Sequence, residues 1–397
     1  MSHQRGESVA KSTWTVTNGR IVTPESVVEG AIRIEGDRIV DIVETKDLAD
    51  SEEDSKPVDA KGQLILPGLV DLHGDDIESH LHPRSGARMD THMALAASDR
   101  ENLAAGITTK FHAISFEIDP EENRSPELGA EITAAVEMAE DLLADHRIHA
   151  RCEVTQQRCV DAIIEIIEAG HSDLVSVMSH IPGKGQFRDK EAFLEYYQGS
   201  QNHTLEEAER IIDERGDLNL DTIRERIDRV VETAHDHGIP TASHDDEDPA
   251  EVERLAAVGV DISEYPITLE TARRAQERGM TVTMGSPNLV RGESQWGNLR
   301  TADAIEAGVV DALVADYHPI SLLAAPFVDT GDSLPERVAR VTMRPANAVG
   351  LSDRGRIVEG ARADIVIVNE SPTPTVTRAF VAGQPVYRAD VNRVESR

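Results

Sequence analysis

Six side chains of the kinds that hold metal ions stand where short apolar runs of this sequence end. They are His73 and Asp75 in LVDLHGD, Glu153 in IHARCEV, His180 in LVSVMSHI, His244 in IPTASHDD and Asp316 in ALVADYHP. Singly each is weak evidence. A histidine at a strand end more often hydrogen-bonds within the packing, and an aspartate there more often caps the next helix. Together, three imidazoles and three carboxylates at one edge make a site for one or two divalent cations of the zinc kind. Alternation along a strand puts Asp71 on the same face as His73 and Asp75, further down. The other histidines read as packing residues, with His82 and His318 nearest that edge.

A second set of residues suits anions. Arg84 follows the first run, Lys184 and Gln186 in GKGQ follow the fourth, and Asn288 and Arg291 in SPNLVRG follow the seventh. Cations beside glycine-rich backbone match phosphate oxygens. The competing reading is that they neutralise neighbouring carboxylates. Lys184 carries most weight, because the chain has only seven lysines against 33 arginines.

These residues need a frame that gathers them. Residues 67–347 alternate short apolar strands with helical periods, and eight strands are countable, each preceded by a helix or a glycine-bearing turn. That is the size and rhythm of a (β/α)8 TIM barrel, whose C-terminal strand ends form the functional face. A doubly wound sheet is the alternative, but no G-x-G-x-x-G follows the first strand. Residues 1–66 and 348–397 are rich in β-formers and turns (WTVTNGRIV, QLILPG, TRAFVAGQPVYR), which predicts one small β-sandwich domain built from both chain ends. The acidic stretch ADSEEDSKPVD reads as a turn-rich interruption of the N-terminal strands.

Composition narrows the function. With 73 acidic and 40 basic residues the net charge is −33, which repels nucleic acid and anionic lipid. Aromatic content of 3% argues against a base-stacking platform. No run approaches a bilayer span of roughly 18 apolar residues and no secretory leader is seen, so a cytoplasmic protein is expected. Cys152 and Cys159 form no C-x-x-C pair and no disulfide framework. An acidic, lysine-poor surface is expected of a halophilic protein working in molar salt.

The segment LILPGLVDLHGDDIESHLHPR resembles the first-strand signature of the amidohydrolase superfamily. In order along residues 62–325, RCEV, LVSVMSHIPGKGQF, EYYQG, ASHDD, EYPIT, MGSPNLVRG and ADYHP resemble the alkylphosphonate-utilisation diphosphatases of the carbon–phosphorus lyase pathway. The resemblance implies hydrolysis of α-D-ribose 1-methylphosphonate 5-triphosphate to the 5-phosphate and diphosphate. It implies two divalent metals, zinc first with manganese or iron as alternatives. It makes His73 and Asp75 first-strand ligands, Glu153 a bridging carboxylate, and His180 and His244 the completing imidazoles. Asp316 would ligate, orient the attacking water and act as catalytic base, while Arg84, Lys184, Gln186, Asn288 and Arg291 would bind the triphosphate. A phosphorylated ribose phosphonate is then the partner, with a homo-oligomer expected and neither nucleic acid nor membrane.

Three features depart from the pattern. Asp75 replaces the superfamily's usual second histidine, which lowers a preference for zinc over manganese or iron. His180 and His244 fall on strands four and five rather than five and six, leaving Asp245 and Glu264 as further candidates. Gly185 stands where a second cation is frequent. The alternative functions are a C–N hydrolase sharing the metals, a deacetylase or deaminase, and a non-catalytic barrel acting as a binding subunit.

Overall fold

The structure, a computed structural model, describes residues 13–44, 55–120, 122–180, 204, 219–294 and 297–390. Two eight-stranded sheets organise it. The first contains strands from both ends of the chain. From the N-terminal part come β1 (Thr13–Val22), β2 (Val27–Glu35), β3 (Arg38–Glu44), β4 (Lys56–Asp59) and β5 (Leu64–Pro67). The C-terminal part adds β14 (Ile365–Asn369), β15 (Thr375–Val381) and β16 (Gln384–Arg388). The join is antiparallel pairing of β14 with β5, from Ile365 opposite Pro67 to Val368 opposite Leu64. β-Branched residues from both ends meet in one core, with Ile21, Ile32, Ile34, Ile65, Ile365 and Phe380 fully buried. KPVD, which closes the acidic stretch, is not a turn: it pairs in parallel with β1.

The second sheet is the barrel. Its parallel strands are β6 (Leu69–Gly74), β7 (Ile107–Ser115), β8 (Asp145–Glu153), β9 (Leu174–Met178), β10 (Thr241–His244), β11 (Ile262–Glu264), β12 (Thr281–Gly285) and β13 (Ala312–Val314). All eight coincide with the apolar runs of the sequence. Both faces of these strands are covered, so β7 and β9 are buried throughout. The helix Gln157–Glu168 shows how the outer layer docks: Cys159, Val160, Ile163, Ile164 and Ile167 form its buried stripe. Inside the barrel, Val70, Leu72, Phe111, Leu174, Ala242, Ile262 and Val314 make an apolar plug. The polar site rests on that plug.

The barrel closes between its last and first strands by a parallel bridge of Gly74 with Asp316. Lower on the same seam, the carbonyls of Arg340 and Val341 accept from the amides of Leu313 and Val70, at 2.8 and 3.0 Å. Among the described residues no helix is long and apolar enough to cross a membrane.

Candidate active site

β6 carries a register irregularity between Asp71 and Gly74, and this corrects the alternation argument. Asp71 does not share the cavity face of His73. Its Oδ2 accepts from the Lys110 ammonium at 2.9 Å, while its Oδ1 accepts from the amides of Ala315 and His73 at 2.8 and 3.2 Å. Lys110 also pairs with Asp76 at 2.6 Å, and Asp76 accepts from Ser98 and Asn102 of the helix Thr91–Ala104. Burial raises the Asp76 pKa, but Lys110 overrides that and leaves it well below the usual carboxylate range. Gly74 is required here, since a Cβ would lie 1.6 Å from Lys110 Nζ.

The irregularity turns His73 into the barrel mouth. Its Nδ1 lies 3.2 Å from Glu264 Oε2, at the end of β11. Its ring stacks on His244 at 5.5 Å and meets His149 edge-on at 5.1 Å. Glu264 therefore stands among three imidazoles, with His244 Nδ1 at 3.6 Å and His149 Nε2 at 3.9 Å. Burial lowers the pKa of both His149 and His244 to about 3 and that of His73 well below its usual range. All three rings are neutral at pH 7 and offer lone pairs.

A second group forms on the neighbouring strands. Glu153, wholly buried at the end of β8, accepts from His180 Nδ1 at 2.7 Å and from the Thr155 hydroxyl at 2.5 Å. Its amide donates to Cys159 Sγ at 3.2 Å; both cysteines are buried and free. Ligand atoms of His73, His244 and Glu264 lie within 4.8 Å of one another, as do those of Glu117, Glu153 and His180. Asp75 and Asp316 belong to neither trio but line the same cavity of about 310 Å3. Burial, reinforced by Asp75, pushes the Asp316 carboxyl up to about 8, and burial raises Asp75 as well. Asp245 is pushed up to about 6, again by burial.

The residues present fit divalent cations. Asp75 Oδ1, His149 Nε2, His244 Nδ1 and Tyr265 OH are buried without a hydrogen-bond partner among the described residues. Imidazole lone pairs beside carboxylates that resist ionisation are the donor set a divalent ion would satisfy. Backbone geometry aims them: Asp245, Tyr265 and Asp316, each just past a strand end, have φ of 55°, 54° and 57°. Aspartate tolerates that left-handed region, whereas for Tyr265 it is a strained position typical of functional sites.

The anion-binding candidates separate. Arg291 and Asn288, on the short helix Ser286–Arg291, line the cavity. Asn288 spends its amide on the Leu299 carbonyl and the Thr301 amide, at 3.2 and 3.0 Å. Arg291 reaches Tyr317 OH at 3.3 Å. Arg84 lies exposed on the loop after the helix Ile77–Leu81 and does not line the cavity. Lys184 and Gln186 fall outside the described residues. Sequence reasoning missed His149, Arg151, Tyr265 and Arg124, all close to or lining this site. The spacing His149-x-Arg151-x-Glu153 on one strand was the available signal.

Comparison with known proteins agrees with this geometry. Residues 141–387 match the model of the amidohydrolase family. The chain is 32% identical, over 89% of its length and 94% of the relative's, to the alpha-D-ribose 1-methylphosphonate 5-triphosphate diphosphatase of Escherichia coli (strain K12). Among solved structures, an amidohydrolase from an environmental sample of the Sargasso sea superposes with a TM-score of 0.66 at 16% identity, covering 97% of this chain and 95% of that one. The N-acetylglucosamine-6-phosphate deacetylase of Pasteurella multocida gives 0.62 at 13% identity, covering 94% and 99%. The last two speak for the fold alone. With a barrel mouth of imidazoles and carboxylates, a sheet made from both chain ends and a family match over most of the barrel, the chain belongs to the amidohydrolase family.

Proposed function

We propose that this chain is a metal-dependent phosphoric-anhydride hydrolase that cleaves α-D-ribose 1-methylphosphonate 5-triphosphate into the 5-phosphate and diphosphate. The observation that carries the reading is the mixed lining of one cavity, where the metal-type ligands His73, Asp75, His180, His244 and Asp316 stand together with Arg124, Arg151 and Arg291, in a chain of net charge −33. A highly charged triphosphate would otherwise be repelled. The similarity to the E. coli diphosphatase supports the choice of substrate.

His73, His180, His244, Asp75, Glu153 and Asp316 would hold the cations, with Glu264, a further candidate from the sequence that the geometry groups with His73 and His244, as a seventh. Two divalent ions, zinc by preference, would supply Lewis acidity at the phosphoryl oxygens and lower the pKa of water toward ~7. The chain's own part is orientation and proton transfer. Asp316 faces the cavity beside Asp75 and is placed to take the proton as a water oxygen bonds to the α-phosphorus. The bond from that phosphorus to the bridging oxygen breaks, and diphosphate leaves with both electrons of that bond. Arg291, at the rim, is placed to meet its charge.

The test is phosphorus NMR of metal-loaded protein with the ribosyl triphosphate, beside an N-acetylated amine. Diphosphate and the 5-phosphate are expected in equal amounts. Release of single phosphates, or turnover of the amide alone, would overturn the proposal.

A further inference from the structure

Arg151 sits two residues before Glu153 on β8, flanked in the sheet by Ser115 of β7 and Ser176 of β9. It is 7% exposed and lines the cavity. Its one side-chain hydrogen bond among the described residues runs from Nη2 to the Met178 sulfur at 3.8 Å, and its buried Nε has none. A guanidinium has five N–H donors, and burying them unspent is costly. The other cavity arginines differ. Arg124 is held by Glu78 at 2.8 Å and Glu117 at 3.1 Å, and Arg291 reaches Tyr317 at 3.3 Å.

The charge of Arg151 acts on Asp75, Asp245 and Asp316 across the cavity. None of those carboxylates hydrogen-bonds to it. Among the described residues no other hydrogen bond engages its side chain, which lines the space where substrate would sit. A phosphoryl group offers several non-bridging oxygens to a planar fork, whereas an amide carbon under attack develops one oxyanion.

We propose that Arg151 is a specificity-determining residue that takes the non-bridging oxygens of the phosphoryl group under attack, leaving Arg291 to the departing diphosphate. This rests on the triphosphate reading above and assigns Arg151 its part within it. A cation fixed in the cavity lining attracts phosphoryl oxygens, so it selects for what the ions would then activate.

Calorimetric titration of metal-loaded protein with inorganic phosphate and with tripolyphosphate tests this, with metal content measured on the same samples. Arg151→Gln should weaken phosphate by about 10- to 100-fold, as loss of a charge-assisted hydrogen-bonded pair would, with metal content unchanged. Arg291→Ala should leave phosphate within about twofold and weaken tripolyphosphate about tenfold. Phosphate binding by Arg151→Gln within about twofold of the parent would overturn the proposal, as would metal loss in proportion to lost binding. Should Arg151→Gln fail to fold, Arg151→Lys decides: it keeps the charge and loses the fork, so several-fold weaker phosphate is expected and parental binding would refute the role. A parent that releases no diphosphate from the ribosyl triphosphate sinks the activity proposed above, while the phosphate titration still judges the arginine.

Discussion

The amide of Asp316 donates to the carbonyl of His73 at 2.8 Å, and the amide of Asp75 returns to the carbonyl of Asp316 at 3.3 Å. Residues 243 positions apart are thereby fixed in one backbone seam, and the closure that completes the barrel also sets the first-strand and last-strand carboxylates side by side. Their mutual repulsion in a buried setting is what a divalent ion would relieve.

Asp316→Asn and Glu153→Gln should therefore fail differently. The first keeps the seam, which is backbone, and keeps an oxygen ligand while removing the proton acceptor. Metal should stay and turnover should fall by roughly 10²–10⁴-fold. The second removes charge from a carboxylate already tied to His180 and Thr155, so metal content should drop first. Metal stoichiometry beside steady-state rates checks both, and an Asp316→Asn enzyme as fast as the parent would make that residue structural.

Lys110 is wholly buried between Asp71 and Asp76, at 2.9 and 2.6 Å. Lys110→Met would leave two buried carboxylates without their cation. It should cost about 3–5 kcal/mol in denaturant unfolding, as breaking a buried pair does. The exposed pair of Arg300 with Asp303 is the control, and Arg300→Met should change stability by less than about 1 kcal/mol.

How much of this was legible in the sequence can be argued from β6 and β8. The apolar runs located all eight barrel strands, because parallel strands buried on both faces read as continuous hydrophobic stretches. The same logic failed at Asp71, since strict alternation cannot foresee a register irregularity, and the residue turned to Lys110 instead. On β8 the alternation of His149, Arg151 and Glu153 was visible, but His149 was assigned to packing because a lone histidine gives no sign of its neighbours. Glu264 was already a further candidate from the sequence, but its position among His73, His149 and His244 needed the third dimension to be seen. Arg84 looked close to the mouth in sequence, and the helix Ile77–Leu81 carries it to the surface.

The composite sheet makes a further prediction. β5 is held by two register pairs to β1 and four to β14, and Ile365, Ile367 and Phe380 supply part of the shared core. Deleting residues 355–397 removes those partners, so the N-terminal strands should lose their cooperative melt. A truncated chain with a native transition would show that the two ends fold independently.

Glu122 offers a pH-dependent test. Burial raises its pKa from 4.5 to about 7 despite the ion pair with Arg124. Because the folded state then binds the proton more tightly than the unfolded chain, stability is greatest below about pH 4.5 as far as this group is concerned. It is lost as pH rises toward about 7, by at most ~3 kcal/mol. Glu122→Gln should flatten the stability profile across that window. An unchanged slope in urea unfolding between those pH values would assign the loss to other groups.

Salt should act in the opposite sense to its effect on most ion-paired proteins. The chain carries 33 negative charges in excess, and surface pairs such as Arg158 with Glu127 are exposed and contribute little. Self-repulsion then dominates the long-range electrostatics of folding. At 0.1 M salt the screening length is ~10 Å, long enough for neighbouring surface carboxylates to repel, whereas at 1 M it is ~3 Å and only contacting charges interact. Buried pairs such as Lys110 with Asp71 are shielded from this change, so the core should be unaffected while the surface cost falls. The melting temperature should therefore rise from dilute buffer into molar potassium chloride, and triphosphate affinity should fall less than for a neutral enzyme because the repulsion is screened too. Melting curves at a series of salt concentrations decide it: a maximum in dilute buffer would mean that the acidic surface is neutralised by its own 40 basic residues, and the halophilic reading would be discarded.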